Sequence, residues 1–168
     1  MACAFPYALG AQVAYPNRQV ISFSGDGGFT MLMGEMATAV KYNLPVTVVI
    51  VKNNYLAQIR WEQMVFLGNP EYGVELQPID FAKYAEACGA IGISVENPSD
   101  VKPALDRAMR SRKPAIVEVL VDPNEPPMPA QVSREQAQHF AEALLRGQPS
   151  GVKIGETIFR DKVYELSH

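Results

Sequence analysis

An α/β fold, a parallel sheet flanked by helices, is what this 168-residue sequence predicts. Three observations carry the prediction. Short apolar runs alternate along the chain with stretches of helical period, the pattern of strands joined by crossover helices. One of those runs, VTVVIV at residues 46–51, is too continuously apolar to have a wet face, as expected of a strand covered on both sides. A glycine-rich turn, Gly25-Asp26-Gly27-Gly28, leaves one strand and enters a helix, the edge at which open parallel sheets bind ligands.

Each element follows from a local signal. Residues 2–14 read as a helix of small and apolar residues, and Pro16-Asn17 breaks it. Residues 19–24 (QVISFS) form a short strand, and 29–42 show helical period through Met31, Met36 and Val40. Met31, Met33 and Met36 are assigned to the core. Pro45 opens the second strand, which ends in the polar loop Lys52-Asn53-Asn54. Residues 55–64 are expected to be helical and Gly68 to Gln77 a long loop. Asp80 caps the helix FAKYAEAC, which stops at Gly89. A third strand spans 90–95, and a helix starts at Ser99 or Asp100 and runs through Met109. The fourth strand is AIVEVLV at 115–121, after which PNEPPMP forbids regular structure. Two helix-like stretches, about 133–146 and 156–166, finish the chain. Residues 1–130 are accordingly expected to form one domain, with 131–168 as a C-terminal helical extension.

Composition excludes some classes of function. A net charge of -3 calls for no nucleic-acid partner. No apolar run reaches the length of a membrane span. In ETIFRDKVYEL, residues 156–166, Ile158, Phe159, Val163 and Leu166 share a helical face. The opposite face mixes Glu156, Asp161 and Glu165 with Arg160 and Lys162, so docking on protein is expected rather than on lipid. Cys3 and Cys88 have no metal-ligand spacing, and a reduced, cytoplasmic setting is the default. His139 and His168 are expected to face solvent. Met1 leads into a helical pattern with no cap or basic leader, so the chain is expected to begin in mid-protein.

The chemistry lies in two loops. They follow consecutive strands, so pairing of those strands would bring them about 5 Å apart. Glycines let the backbone approach an anion, and a helix start offers N–H groups. Asp26 would repel a phosphate unless a cation lay between them. Asn53 supplies a neutral oxygen. Asp26, Asn53, a loop carbonyl and diphosphate oxygens make an oxygen shell suited to magnesium, which takes such ligands at roughly 2.1 Å. The turn lacks the G-x-G-x-x-G spacing of a dinucleotide-binding domain.

Gly25-Asp26-Gly27, with Asn53 following 27 residues after the Asp, resembles the thiamine-diphosphate signature of GDG, a spacer, then Asn. The resemblance covers nearly the whole chain. The stretches MACAFPYALGAQ, GDGGFTMLMGE and DFAKYAEACGA look most like pyruvate oxidase and quinone-linked pyruvate dehydrogenase. Acetolactate synthase and sulfoacetaldehyde acetyltransferase are more distant. The resemblance implies a thiamine-diphosphate-binding fold, here a C-terminal domain fragment. It makes Asp26 and Asn53 magnesium ligands, with Tyr55 adding its backbone carbonyl. It puts Gly25, Gly27 and Gly28 at the diphosphate, with Gly27 and Gly28 as N–H donors. Met1 falls where the family has an apolar residue under the bent thiamine; the competing reading is an initiator methionine. Lys52 takes the first place of the family's usual Asn-Asn pair. An alignment shifted by one would make Asn54 the ligand, whereas Asn53 keeps the spacing and puts Tyr55 two residues on.

The same resemblance matches Glu62 to a glutamate near the substrate in pyruvate oxidases, which makes it the catalytic candidate beside the alternative of a solvated helix face. Acetolactate synthases have tryptophan there, and Trp61 is one position early. Gln58 stands where oxidases often carry an aromatic residue. Arg60 and Lys52 read as surface residues, with a substrate carboxylate as the alternative partner. The implied parent is an oxidoreductase or decarboxylase acting on a 2-oxo acid such as pyruvate, assembled as a homo-dimer or tetramer. In relatives the glutamate that activates the cofactor lies on a pyrimidine-binding domain. Nothing here matches that domain or a middle domain, where the presence of FAD is left open. The chain alone is therefore expected to be inert. The alternatives are a carboligase or lyase resembling acetolactate synthase or sulfoacetaldehyde acetyltransferase, and a non-catalytic anion-binding module.

Overall fold

Four short strands form one parallel sheet: β1 (Ile21–Gly25), β2 (Thr47–Lys52), β3 (Ile91–Val95) and β4 (Ala115–Leu120), in the order β1-β2-β4-β3. The helices are α1 (Ala4–Ala14), α2 (Asp26–Thr30), α3 (Met36–Lys41), α4 (Ala57–Val65), α5 (Phe81–Ala87), α6 (Pro98–Arg110), α7 (Arg134–Leu145) and α8 (Gly151–Ser167). This computed structural model describes residues 1–125 and 133–167, with side chains described through residue 160. The chain divides into two compact units, 1–54 with 77–121, and 55–76 with 122–168. The expected boundary at 130/131 lies outside the described residues.

The first unit is the sheet and its two helical layers. On one face Val48, Ile50 and Ile116 pack with Phe5, Ala8 and Leu9 of α1, Phe29 of α2, Met36 and Ala39 of α3, and Phe81 and Ala85 of α5. Phe29 is the hub, its ring centroid 5.6 Å from that of Phe5 and 5.6 Å from that of Phe81. On the other face Val95, Ala115 and Val117 pack with Ala104 and Ala108 of α6. Thr47 to Ile50 are all buried, which is why the second strand reads as continuously apolar.

The predicted 29–42 helix is in fact three pieces. It starts three residues early, at Asp26, so Asp26, Gly27 and Gly28 are the first helical residues rather than a free turn. It then breaks at Leu32 (φ -135°), and a single 3-10 turn, Met33–Glu35, leads into α3. The Tyr84 hydroxyl donates to the Met33 carbonyl at 2.5 Å, holding the chain at the break. The break also sorts the methionines: Met36 is buried, Met33 half-buried, and Met31 exposed, contrary to its expected core position.

The caps of α5 are as the sequence predicts. Asp80 accepts the Lys83 N–H at 2.8 Å, and Gly89 takes φ +86° just past the helix end. The next helix begins at Pro98, slightly earlier than expected, since proline at the first helical position has no N–H to leave unpaired.

Gly92 shows how closely α5 lies on β3. A Cβ there would stand 2.0 Å from the Ala82 carbonyl oxygen and 2.6 Å from its carbon. The obstacle is helix backbone, which cannot swing aside as a side chain would. Gly92→Ala is expected to cost about 3 kcal/mol of folding free energy, the upper part of the overpacking range. A urea-unfolding midpoint equal to that of the unsubstituted protein would show that α5 lifts off β3 freely.

The second unit has its own small core of Trp61, Met64, Val65, Ala143 and Ile154. The Phe140 ring stacks on Trp61 at 6.1 Å. A capping box of Ser133 and Gln136 starts α7. The last helix begins at Gly151 rather than 156, and its extra turn puts Ile154 into this core. Ile158 packs on the same cluster while Phe159 is exposed; the side chains of Val163 and Leu166 lie outside the described residues. His139 is half-buried rather than solvent-facing, and His168 lies outside the described residues. Among the described residues no helix is long and apolar enough to cross a membrane.

Candidate functional site

Gly25 of β1 pairs with Val51 of β2, so the two strands end side by side and their loops emerge at the same edge. Asp26 follows β1 directly and is 4% exposed. A buried carboxylate needs donors, and backbone amides supply them. Asp26 Oδ1 accepts the N–H of Gly27 at 2.9 Å, and Oδ2 accepts those of Asn53 at 3.2 Å and Asn54 at 2.6 Å. A carboxylate has roughly four lone-pair sites, so three N–H bonds leave it able to take a further partner.

Asn54 makes this possible by adopting φ +61°, a left-handed conformation that asparagine tolerates better than most residues. It folds the chain after β2 back toward Asp26. The N–H of Gly27, implied to serve a diphosphate, is directed at Asp26 in this structure.

Gly25 and Gly28 are not explained by the chain's own packing. A Cβ on Gly25 would meet nothing nearer than the Val51 carbonyl oxygen at 4.0 Å. One on Gly28 would make only ordinary contact with Ser24 Oγ at 3.7 Å. Gly25 has φ -74°, which any residue adopts. The space a side chain would fill at these two positions is space a ligand can use.

No group of three or more His, Cys, Asp or Glu that could hold a metal ion occurs among the described residues. At this edge Asp26 is the carboxylate that the loop amides bind, and a cation there would share it with neutral oxygens. That donor set is poor for zinc and suits magnesium shared with phosphate oxygens. The residues fit the group that the sequence pattern implies.

The structure thus brings together Gly25, Asp26, Gly27, Gly28 and Asn53. Met1, by contrast, is 67% exposed ahead of α1. Tyr55 and Glu62 belong to the second unit. Glu62 is exposed on α4, its Oε1 accepting from Gln58 Nε2 at 3.1 Å. Tyr55 forms a β-bridge with Glu75, and burial, then the nearby Glu71 carboxylate, raise its hydroxyl pKa.

Two surface assignments are overturned. Arg60 is 1% exposed, paired with Glu71 and donating to the Pro123 carbonyl at 2.6 Å, with its guanidinium 4.5 Å from the centre of the Tyr55 ring. Lys52 is nearly covered and paired with buried Glu118 at 3.4 Å. A signal for the second pair was present: Glu118 interrupts the apolar run AIVEVLV, and a carboxylate inside a buried strand demands a partner. Asn54, the alternative side-chain ligand of the shifted alignment, reaches Asp26 through its backbone N–H, for which the sequence carries no signal.

Comparison with known proteins points one way. The family described as "Thiamine pyrophosphate enzyme, C-terminal TPP binding domain" matches residues 1–119. The chain is 44% identical to the YdaP protein of Bacillus subtilis (strain 168), over 87% of its own length and 25% of that protein's. It is 34% identical to acetolactate synthase isozyme 3 large subunit of Escherichia coli (strain K12), over 79% of its length and 24% of the relative's. A solved Rhodococcus jostii RHA1 structure, a thiamine diphosphate-dependent 4-hydroxybenzoylformate decarboxylase, superposes with a TM-score of 0.69 at 30% identity. That match covers 73% of this chain and 23% of the solved one.

Proposed function

The chain belongs to the thiamine pyrophosphate enzyme family, as a C-terminal TPP binding domain, and we propose that it holds the diphosphate of thiamine diphosphate through a magnesium ion. The observation that carries this reading is Asp26: a buried carboxylate at the shared end of β1 and β2, bound by the amides of the neighbouring loop. Asp26 and the Asn53 side chain would hold the ion, with the Tyr55 carbonyl as the third protein ligand implied by the resemblance. Gly25, Gly27 and Gly28 would line the diphosphate, and Met1 would lie under the thiamine.

Bound thiamine diphosphate supplies the carbanion chemistry by which a 2-oxo acid loses CO2. This chain's residues fix the cofactor's tail and neutralise its charge, and Glu62 is the residue offered to the substrate.

The chain spans about a quarter of the length of the relatives it matches. The complete enzyme would add pyrimidine-binding and middle domains, the latter a place for FAD, and work as a homo-oligomer. The composition of α1 supports such a covering: the helix is apolar on all sides, yet Tyr7 and Val13 are exposed. The free cysteines, Cys3 and Cys88, support a cytoplasmic setting. Within the family we read the parent as a pyruvate oxidase-like or dehydrogenase-like enzyme. A second reading, a carboligase, is favoured by the 34% identity to acetolactate synthase.

Titration of the full-length enzyme with thiamine diphosphate, with magnesium and again with a chelator, tests the site. Binding that needs the metal supports it; equal binding in both conditions rejects it. Asn53→Ala is expected to weaken the metal-dependent affinity at least about tenfold. A larger loss in Asn54→Ala would move the ligand one residue on.

A further inference from the structure

The first unit buries a second carboxylate that the proposed site does not use. Glu118 sits on β4 opposite Ile50 of β2 and is 3% exposed. Its Oε2 accepts the N–H of Phe81 at 3.0 Å and faces Lys52 Nζ at 3.4 Å. The same ammonium lies 5.8 Å from the centre of the Phe81 ring. A lysine at a strand end is long enough to reach solvent, yet here its side chain is only 12% exposed. Three elements, β2, β4 and the start of α5, therefore meet at one ion pair.

Lys52 is the last residue of β2. Its carbonyl takes the Val121 N–H at 3.0 Å, the final ladder bond. Beyond it the chain leaves the sheet, and the next two residues give their N–H groups to Asp26. Asn54 does so in a left-handed conformation that regular extended backbone would not adopt. The side chain of Lys52 extends the anchorage to the point where the ladder ends and the turn begins.

We propose that Lys52 and Glu118 are a positioning pair, which pins the end of β2 so that the Asn53 and Asn54 amides stay on the Asp26 carboxylate. Neither residue touches the cofactor; both act through the loop. The functional consequence rests on the cofactor reading given above, but the geometry of the loop does not. The pair also accounts for a lysine at the first place of the usual Asn-Asn motif: here that position serves the scaffold.

Amide hydrogen exchange in cofactor-free protein reads the loop directly. Glu118→Gln keeps an oxygen for the Phe81 N–H while removing the charge, and Lys52→Met keeps the stem while removing the ammonium. Each is expected to speed exchange of the Asn54 amide about tenfold, the net worth of one hydrogen bond. The Ile50 amide, in mid-strand, should not change, and Lys52→Arg should retain protection at Asn54. Unchanged Asn54 exchange in both variants, or an equal rise at Ile50, overturns the proposal. If magnesium and thiamine diphosphate fail to slow Asn54 exchange in the unsubstituted protein, the cofactor reading fails and the comparison between variants still decides the positioning role.

Discussion

Asp26→Ala is expected to abolish magnesium-dependent binding of thiamine diphosphate. The substitution removes the charged member of the proposed ligand set. It also withdraws the acceptor from three amides, those of Gly27, Asn53 and Asn54. A buried amide left without a partner, as at Gly27, costs about 1–3 kcal/mol, and the half-buried Asn53 and Asn54 amides cost less. Binding and stability should therefore fall together in this variant. Asp26→Asn separates them in part: its one carbonyl oxygen can still accept the Asn53 and Asn54 N–H groups, its NH2 replaces the oxygen that serves Gly27, and the charge that attracts the metal is gone. Calorimetric titration and urea unfolding of both variants make the measurement. Magnesium-dependent affinity in Asp26→Asn equal to that of the unsubstituted protein would remove Asp26 from the metal site.

Arg60→Ala is expected to cost about 3–5 kcal/mol, the range for breaking a buried pair and stranding its partner. The guanidinium joins Glu71, the Pro123 carbonyl and the Tyr55 ring, all within the second unit. Glu71 in turn accepts from Gln148 Nε2 at 2.5 Å, and its N–H donates to Gln148 Oε1 at 2.8 Å. The arginine is thus the centre of a network that ties the segment after α4 to the turn between α7 and α8. Arg60→Lys should recover little, because an ammonium cannot reproduce the fork that reaches two acceptors at once. Equilibrium unfolding followed by Trp61 fluorescence suits the test, since that ring sits in the core of the same unit. A loss under about 1 kcal/mol, as for an exposed ion pair, would return Arg60 to a surface role.

Much of the candidate site's geometry was legible because its signal is local or periodic. The Gly25–Gly28 segment and the Asn53 loop follow apolar runs, and a parallel sheet puts the ends of such runs at one edge. The side chains of Asp26 and Asn53 could be nominated from oxygen chemistry alone. That the Asn54 peptide would also turn to Asp26 was not legible, since it depends on one left-handed dihedral angle. The predicted helix at 29–42 shows the same limit. Its period is real, but the Tyr84 hydroxyl holds the Met33 carbonyl from 51 residues away, and no window of local sequence contains that contact.

The sequence by itself determined the fold class, the strand positions, the capping of α5 by Asp80 and Gly89, and the nomination of Asp26 and Asn53. These rest on hydrophobic period, turn chemistry and donor type, all properties of near neighbours along the chain. Tertiary structure alone decided which charged residues are buried. Arg60 reads as an ordinary polar helix position until Glu71 and Pro123, 11 and 63 residues away, are brought to it. Lys52 reads as a solvated strand end until Glu118, 66 residues away, arrives beside it. Burial of a charge is favourable only once its partner is in place, and placing the partner is the work of the fold.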